Sequence, residues 1–298
     1  MPTIAQQLTQ LESDRQDLVS NLQTKGITGL TGDETFTELV PEVLNIGGGD
    51  LDGLLDGSIT SLESDVLSVK SYACYGSTSL ETVSLPNATI IGISAFNFCT
   101  SLTSFTAPSL ETLGASSLRG CTSLQSINLP SVTAFSGTSV FEGCSNVTSI
   151  TLGTIAGNIP QYTFRDCIEL DTLNWTLGGT NYIVNNGAFY NCVQLQHLAF
   201  TNASVIGESC FRGCTNLLDV DCGNTSQIQM FTFYGCTSLE KITLRKTGSI
   251  CTLANTNAIP TGQNITIYVP SDLISTYQSA SNWTTLYNNG DVTFVAIS

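Results

Sequence analysis

The stretch FNFCTSLTSFTAPSLETLGASSL (residues 96–118) runs directly into a second copy of the same pattern, LRGCTSLQSINLPSVTAFSGTSV (residues 118–140). Both copies follow the consensus F-x-x-C-x-x-L-x-x-I-x-L-P-x-V-x-x-I with apolar substitutions, such as Phe105 and Ala107 at the I and L positions of the first and Leu118 in place of the aromatic residue in the second. Within each copy, the segment I-x-L alternates apolar and polar side chains, which is typical of a short strand with one buried face. The proline that follows removes the next backbone donor and ends that strand.

A cysteine marks this repeat along most of the chain. The repeat cysteines are 22 to 25 residues apart: Cys99, Cys121, Cys144, Cys167, Cys192, Cys214 and Cys236. An aromatic residue or leucine lies three positions before each of them, and an aliphatic residue lies three positions after. A regular repeat of this length, in residues, indicates a solenoid, because one repeat cannot bury its own apolar side and successive copies must stack.

The cysteines favour packing over chemistry. The chain has 11 of them, an odd number, so they cannot all pair with one another, and Ser77 takes the same slot in an earlier copy of the repeat. Free cysteine behaves as a small, readily buried hydrophobic residue. Closely spaced cysteine pairs typical of zinc sites are missing, and His197 is the only histidine. We therefore expect no metal, no cofactor and no catalytic residue, and hence a protein that is not an enzyme.

The charge balance bears on the class of partner. The chain has 9 Lys and Arg against 24 Asp and Glu, a net charge of −15. Nucleic-acid-binding proteins carry a basic stripe or patch, and this sequence has none. No stretch approaches the length of apolar sequence needed to span a bilayer. We expect neither nucleic acid nor membrane insertion.

The repeat resembles the BspA-like leucine-rich repeats. The stretches that carry the resemblance are SAFNFCTSLTSF (residues 94–105), GAFYNCVQLQHL (187–198) and FTFYGCTSLEKI (231–242). It covers roughly residues 58–269, although the turns near 153–160 and 221–229 lose the Leu-Pro ending. The resemblance implies a right-handed solenoid of short parallel strands with a hydrophobic interior.

Composition divides the chain into four parts: a helical leader at 1–46, a glycine-rich joint at 47–50, the solenoid at 51–269 and an α/β cap at 270–298. In the cap, a helix with Tyr277 and Trp283 facing the solenoid is expected to precede a final strand. Such a cap protects the last turn, whose open edge would otherwise recruit another strand.

The leader carries apolar residues in a heptad pattern, which predicts a coiled coil or bundle with sister chains or a docking partner. The positions are Ile4, Leu8, Leu11, Leu18 and Leu22. A helical hairpin that packs on itself is the alternative.

The leader also suggests a function. Its segments IAQQLTQLESDRQDLVSNLQTKGI (4–27) and GDETFTELVPEVLNI (32–46) resemble the N-terminal leader of tail, baseplate and other virion-associated phage and prophage proteins. The resemblance implies an attachment module joined to a variable distal domain. The predicted protein is a non-enzymatic virion structural or adhesion protein of tail, baseplate or head-fibre type. Its predicted partners are itself, as a homo-oligomer such as a trimer, other virion proteins, and a host-surface glycan or protein.

Two other functions remain open from the sequence. One is a bacterial cell-surface adhesin of the same repeat family, and the other is a virion-associated glycan-active protein. The predicted location is accordingly the virion, with the bacterial cell surface as the alternative.

One polar row is a candidate ligand face. It lies seven residues after the repeat cysteines and consists of Thr106, Asn128, Thr151, Asn174, Asp221 and Thr243, with Ala199 in one copy. These side chains should line the outer face of one sheet, where they can bind glycan hydroxyls or a partner surface. A solvated face that merely keeps the strands soluble is the simpler interpretation, and we favour it.

Overall fold

The computed structural model describes residues 59–297. They form a parallel β-solenoid of about nine turns, which confirms the predicted repeat architecture. The predicted helical leader (1–46) and joint (47–50) lie outside the described residues. So do the five apolar leader positions predicted to mediate oligomerisation or docking, Ile4, Leu8, Leu11, Leu18 and Leu22.

One face of the solenoid is formed by the strands that the I-x-L segments predict. They are β1 (Ser61–Glu63), β3 (Thr82–Ser84), β5 (Ser104–Thr106), β7 (Ser126–Leu129), β9 (Ser149–Ile155), β10 (Thr172–Leu177), β12 (His197–Ala199), β14 (Asp219–Asp221), β16 (Lys241–Thr243) and β18 (Ile265–Val269). They make three parallel sheets in chain order, β1-β3-β5, β7-β9-β10 and β12-β14-β16-β18. Equivalent residues pair in register, such as Ile127 with Ile150, so the same alternate side chains point inward in every turn.

A second face holds shorter strands. One sheet is β2 (Ser68–Val69), β4 (Ile90–Ile91), β6 (Thr112–Leu113) and β8 (Ala134–Phe135), and the other is β11 (Tyr182–Val184), β13 (Ala203–Ile206), β15 (Gln227–Ile228) and β17 (Thr252–Leu253). These strands are also parallel, and each strand is bonded to its counterpart in the next turn.

The third side, which we call the turn face, consists of the F-x-x-C segments and has no strands. Its backbone is nevertheless bonded from turn to turn, because alternate N–H groups donate to carbonyls of the following turn. Between two of these turns the hydrogen bonds are Ser94 to Ala115 at 2.8 Å, Phe96 to Ser117 at 2.9 Å and Phe98 to Arg119 at 2.7 Å. Each turn bends at two residues with positive φ, five and one positions before the cysteine, such as Ser116 (52°) and Gly120 (69°).

The interior contains two stacks of identical side chains. Five phenylalanine rings stack with centroids 5.1–5.6 Å apart and planes within 18° of parallel: Phe141, Phe164, Phe189, Phe211 and Phe233. Beside them run the repeat cysteines, all buried and all free thiols. Each thiol donates to a backbone carbonyl of the preceding turn at 3.0–3.2 Å. Ser77 is buried in the equivalent slot.

Burial keeps these thiols protonated. Desolvation raises the pKa of Cys144 and of Cys214 to about 12, because a thiolate in the interior would lose its hydration. A neutral thiol with a carbonyl acceptor has no unmet polar requirement, so the cysteines serve as packing residues that also link successive turns.

The C-terminal segment covers the last turn of the solenoid. After 3₁₀ turns at Thr256–Ala258 and Ser271–Leu273 come helices α1 (Ile274–Ser279) and α2 (Trp283–Asn288), then strand β19 (Val292–Ala296), which pairs in parallel with β18. One helix was expected here, but Asn282 has a φ of 67° and divides it into two. Tyr277 and Trp283 are fully buried, and both form 2.8 Å hydrogen bonds with the backbone of Cys251.

Candidate functional site

The polar row predicted as a ligand face lies on the strands of the first face. Asn128, Thr151 and Asn174 stand side by side, because β7, β9 and β10 pair them in register. Asn128 and Asn174 are exposed and Thr151 is half-buried. Thr106 is also exposed, on β5 in a separate sheet. The structure therefore brings these three residues together in one sheet and pairs two others, Asp221 and Thr243, in another.

The C-terminal part of this row is less available to a ligand. Asp221 already accepts hydrogen bonds from the Arg245 guanidinium at 2.7 Å and from the Gly223 N–H at 2.9 Å. Thr243 is only 5% exposed, contrary to the expectation that it faces solvent. Its register partner is Tyr268, whose large side chain stands beside it on the same face of the sheet.

The turn face carries a second column of side chains, two positions before the repeat cysteine or, in the first copy, before Ser77. Its members are Tyr75, Asn97, Arg119, Glu142, Arg165, Tyr190, Arg212 and Tyr234. From Asn97 to Tyr234, their backbone carbonyls accept the last of the turn-to-turn hydrogen bonds, at 2.7–2.9 Å. The main chain therefore holds the column at the regular turn spacing, roughly 4.7–4.9 Å.

Two arginines of this column contact tyrosines of the column and also Tyr162, which lies five positions before Cys167. The Arg165 guanidinium lies between two tyrosine rings, 5.1 Å from the centroid of Tyr162 and 5.2 Å from that of Tyr190. The Arg212 guanidinium lies 5.9 Å from Tyr190 and 5.0 Å from Tyr234. These distances are within the range of cation–π attraction. We call these five residues the arginine–tyrosine ladder.

A glycine makes room for the first ring of the ladder. A Cβ atom at Gly187 would lie 2.5 Å from Cε1 of Tyr162, closer than side chains can approach. Gly187 also has a φ of 59°, which disfavours other residues. Beside this contact is a half-enclosed pocket of about 330 Å³, lined by Tyr162, Arg165, Asn186, Gly187, Tyr190, Glu208 and Ser209.

The charges along the ladder are unequal. Nε of Arg165 lies 3.2 Å from a carboxylate oxygen of Asp166, and Glu208 lines the same pocket. Arg212, in contrast, forms an ion pair with no carboxylate among residues 59–297. An arginine stacked between ring faces keeps the N–H groups at the edge of its guanidinium plane for a ligand.

A smaller aromatic group occupies the N-terminal part of the turn face. The rings of Tyr72, Tyr75 and Phe98 lie in sequence with centroids 6.1 Å apart, and Arg119 lies 5.5 Å from the Phe98 centroid. The three rings are 40–57% exposed. Arg119 is already paired with Glu142 at 3.2 Å, so this group has apolar surface and no unpaired arginine.

The described residues contain no group of histidine, cysteine or acidic side chains arranged to hold a metal ion. Across residues 59–297, no helix has both the length and the hydrophobicity for a transmembrane span.

The arginine–tyrosine ladder was missed at the sequence level, although a signal for it exists. Three of the four arginines in residues 59–297 occupy the same repeat position, Arg119, Arg165 and Arg212. Their position two residues before the cysteine could be read from the same alignment that gave the polar row. Arg165 and Arg212 are linked through Tyr190, which contacts both of them. Tyr162 comes from a different repeat position, three residues before Arg165 in the same turn.

Comparison with known proteins agrees with the repeat architecture. The chain matches the model of the BspA type leucine rich repeat region, in six copies, over residues 67–180 and 137–266. No curated protein is similar enough in sequence to count as a relative.

Similar solved structures include a leucine rich repeat protein of T. pallidum, which is 24% identical, with 60% of this chain and 78% of that chain covered and a TM-score of 0.40. The pneumococcal vaccine antigen PcpA is 16% identical, with 80% and 78% covered and a TM-score of 0.41. A leucine rich cell surface protein from Faecalibacterium prausnitzii is 21% identical, with 80% and 79% covered and a TM-score of 0.34.

Proposed function

Because this chain belongs to the BspA-type leucine-rich repeat family, we propose that it is a non-enzymatic binding protein that presents the turn face of its solenoid to a target on a cell surface. Repeat solenoids provide extended surfaces of this kind, since every turn places equivalent residues in line. The observation that carries the proposal is the arginine–tyrosine ladder. Exposed arginine and tyrosine in mutual contact are the residue types enriched where proteins bind partners.

The test is binding of the full-length protein to a panel of intact bacterial cells. Replacing both Arg165 and Arg212 by glutamine should weaken binding at least tenfold, because each arginine contributes charge-assisted hydrogen bonds. The matched control replaces Asn128 and Asn174 by alanine on the polar row and should bind normally. Loss of binding only in the asparagine variant would assign the target to the strand face and contradict this proposal.

We further propose that the protein is carried on a phage particle, as a tail, baseplate or head-fibre component. Support comes from the resemblance of residues 4–46 to the leaders of virion-associated proteins. The leader would dock the protein to other virion proteins or assemble it as a homo-oligomer. Deleting residues 1–49 should then prevent incorporation into particles, and normal incorporation would refute the docking role. Solution mass with and without residues 1–46 measures self-association.

The same binding domain is equally consistent with a bacterial cell-surface adhesin. The turn face would have the same use there, since its geometry does not depend on what carries it. Neighbouring genes for tail or capsid parts favour the virion, and neighbouring genes for a cell-wall anchoring system favour the adhesin.

A further inference from the structure

We propose that the arginine–tyrosine ladder binds an anionic polysaccharide, with the polymer lying along the solenoid axis across the turns of Tyr162 to Tyr234. This inference rests on the proposed function, because it names the ligand of the same face. It is argued from the ring surfaces, the unequal charges and the spacing of the ladder.

The tyrosines supply what a sugar ring needs. Tyr234 is 53% exposed, so its ring offers apolar area to solvent, and the phenols of Tyr162, Tyr190 and Tyr234 each add a donor and acceptor at the tip of the ring. Pyranose rings have C–H faces that pack on aromatic rings and hydroxyls that bond to nearby polar groups. The pocket beside Tyr162 also contains Asn186 and Ser209, whose neutral side chains suit hydroxyls.

The two arginines favour an anionic polymer over an uncharged one. Arg212 pairs with no carboxylate in the described part of the chain, although the whole chain carries a net charge of −15. An unpaired guanidinium between two rings selects a carboxylate or phosphate, which it can bind in bidentate fashion. Arg165 is partly neutralised by Asp166 and stands beside Glu208. We therefore place the anionic group at Arg212 and an uncharged sugar in the pocket beside Arg165.

The spacing of the ladder suits a polymer. Arg165, Tyr190 and Arg212 belong to three successive turns, because they precede Cys167, Cys192 and Cys214 by two residues. With parallel strands 4.7–4.9 Å apart, the two arginines are separated by roughly 9–10 Å. That distance is on the order of a disaccharide, so one polymer chain can place an anionic group at Arg212 and another of its sugars in the pocket beside Arg165.

The experiment measures binding of the full-length protein to three purified polymers by calorimetry at low and high salt. Polygalacturonate tests a carboxylate source of charge, a polysaccharide whose sugars are joined by phosphodiesters tests a phosphate source, and amylose is the uncharged control. We expect binding to at least one anionic polymer, weakened by salt because the contact is electrostatic, and no measurable binding to amylose.

Two variants locate the binding. Arg212→Gln should weaken polymer binding tenfold or more, and Tyr190→Ala should weaken it similarly because that ring contacts both arginines. Arg245→Gln is the matched control, since Arg245 lies outside the turn face and is paired with Asp221. Unchanged thermal unfolding of Arg212→Gln shows that the variant is folded.

The outcomes separate this inference from the proposed function. Equal binding to amylose, or an equal loss in Arg245→Gln, overturns the anionic polysaccharide. Absence of binding to all three polymers also overturns the anionic polysaccharide. If the ladder variants nevertheless lose binding to intact cells, the proposed function stands with a different target, such as a surface protein. If the ladder variants bind cells normally, both proposals are wrong.

Discussion

Replacing Phe189 by alanine tests whether the stacked rings stabilise the solenoid. Phe189 is fully buried, and its ring stacks between Phe164 and Phe211, with centroids 5.1 and 5.5 Å away. It also meets Trp175 at 6.2 Å and Phe200 at 5.9 Å. Removing a buried phenyl ring costs about 3–5 kcal/mol, and each aromatic pair adds about 0.5–1.5 kcal/mol. With four such pairs, we expect Phe189→Ala to lower the free energy of unfolding by at least about 5 kcal/mol.

A leucine at the same position separates stacking from volume. Leu118 occupies the equivalent slot of its own turn and is fully buried, so the backbone accepts leucine there. Phe189→Leu keeps most of the apolar volume and loses the ring pairs, for an expected cost of about 2–3 kcal/mol. The matched control is Phe98→Leu, because Phe98 is 40% exposed and should cost less than about 1 kcal/mol.

Urea unfolding followed by tryptophan fluorescence suits this comparison. Only two tryptophans are present, Trp175 against the ring of Phe189 and Trp283 in the C-terminal segment. Equal losses for Phe189→Leu and Phe98→Leu would refute the stacking argument. Equal losses for the alanine and leucine variants at Phe189 would show that the rings matter and the remaining volume does not.

Three further predictions concern the glycines, the thiols and the C-terminal segment. Gly187→Ala should lower the thermal unfolding temperature more than Gly248→Ala. Both glycines have positive φ, but only at Gly187 does the new Cβ meet Tyr162, so equal losses would contradict this prediction. Burial raises the pKa of Cys144 to about 12, so between pH 9 and 12 the unfolded chain loses thiol protons first and stability falls as pH rises. Each such thiol costs about 1.4 kcal/mol by pH 10, and circular dichroism under reducing conditions should show unfolding begin above roughly pH 9; full structure at pH 11 would contradict it. Trp283→Phe removes an indole donor to a buried carbonyl and should cost about 1–3 kcal/mol in urea, whereas an unchanged midpoint would show that water replaces that bond.

The repeat pattern was enough to predict the solenoid, because the period, the alternating strand and the buried cysteine all follow from residue spacing. The inward direction of Ile127 and Ile150 could be read in this way, since both lie at the same point of the repeat. The burial of Thr243 could not, because it depends on the residues around it in the folded sheet, where Asp221 and Tyr268 flank it in register.

The contacts within the arginine–tyrosine ladder could also be predicted only in part from the sequence. Repeat position predicts that Arg165, Tyr190 and Arg212 share a column, but not that their side chains touch. The contact of Tyr162 with Arg165 also needs the space left by Gly187 in the next turn. That glycine belongs to a neighbouring turn, which a single repeat does not contain.

The hydrogen bonding of the turn face allows recognition to change without altering the scaffold. Two residues before each repeat cysteine, the main chain supplies the carbonyl that joins neighbouring turns, and the side chain has no part in that bond. This position accepts tyrosine, asparagine, arginine and glutamate in different turns of one molecule. A gene encoding such an array can therefore acquire a new specificity by point mutation at these codons, or a longer binding track by duplicating a turn, while the interior is inherited unchanged.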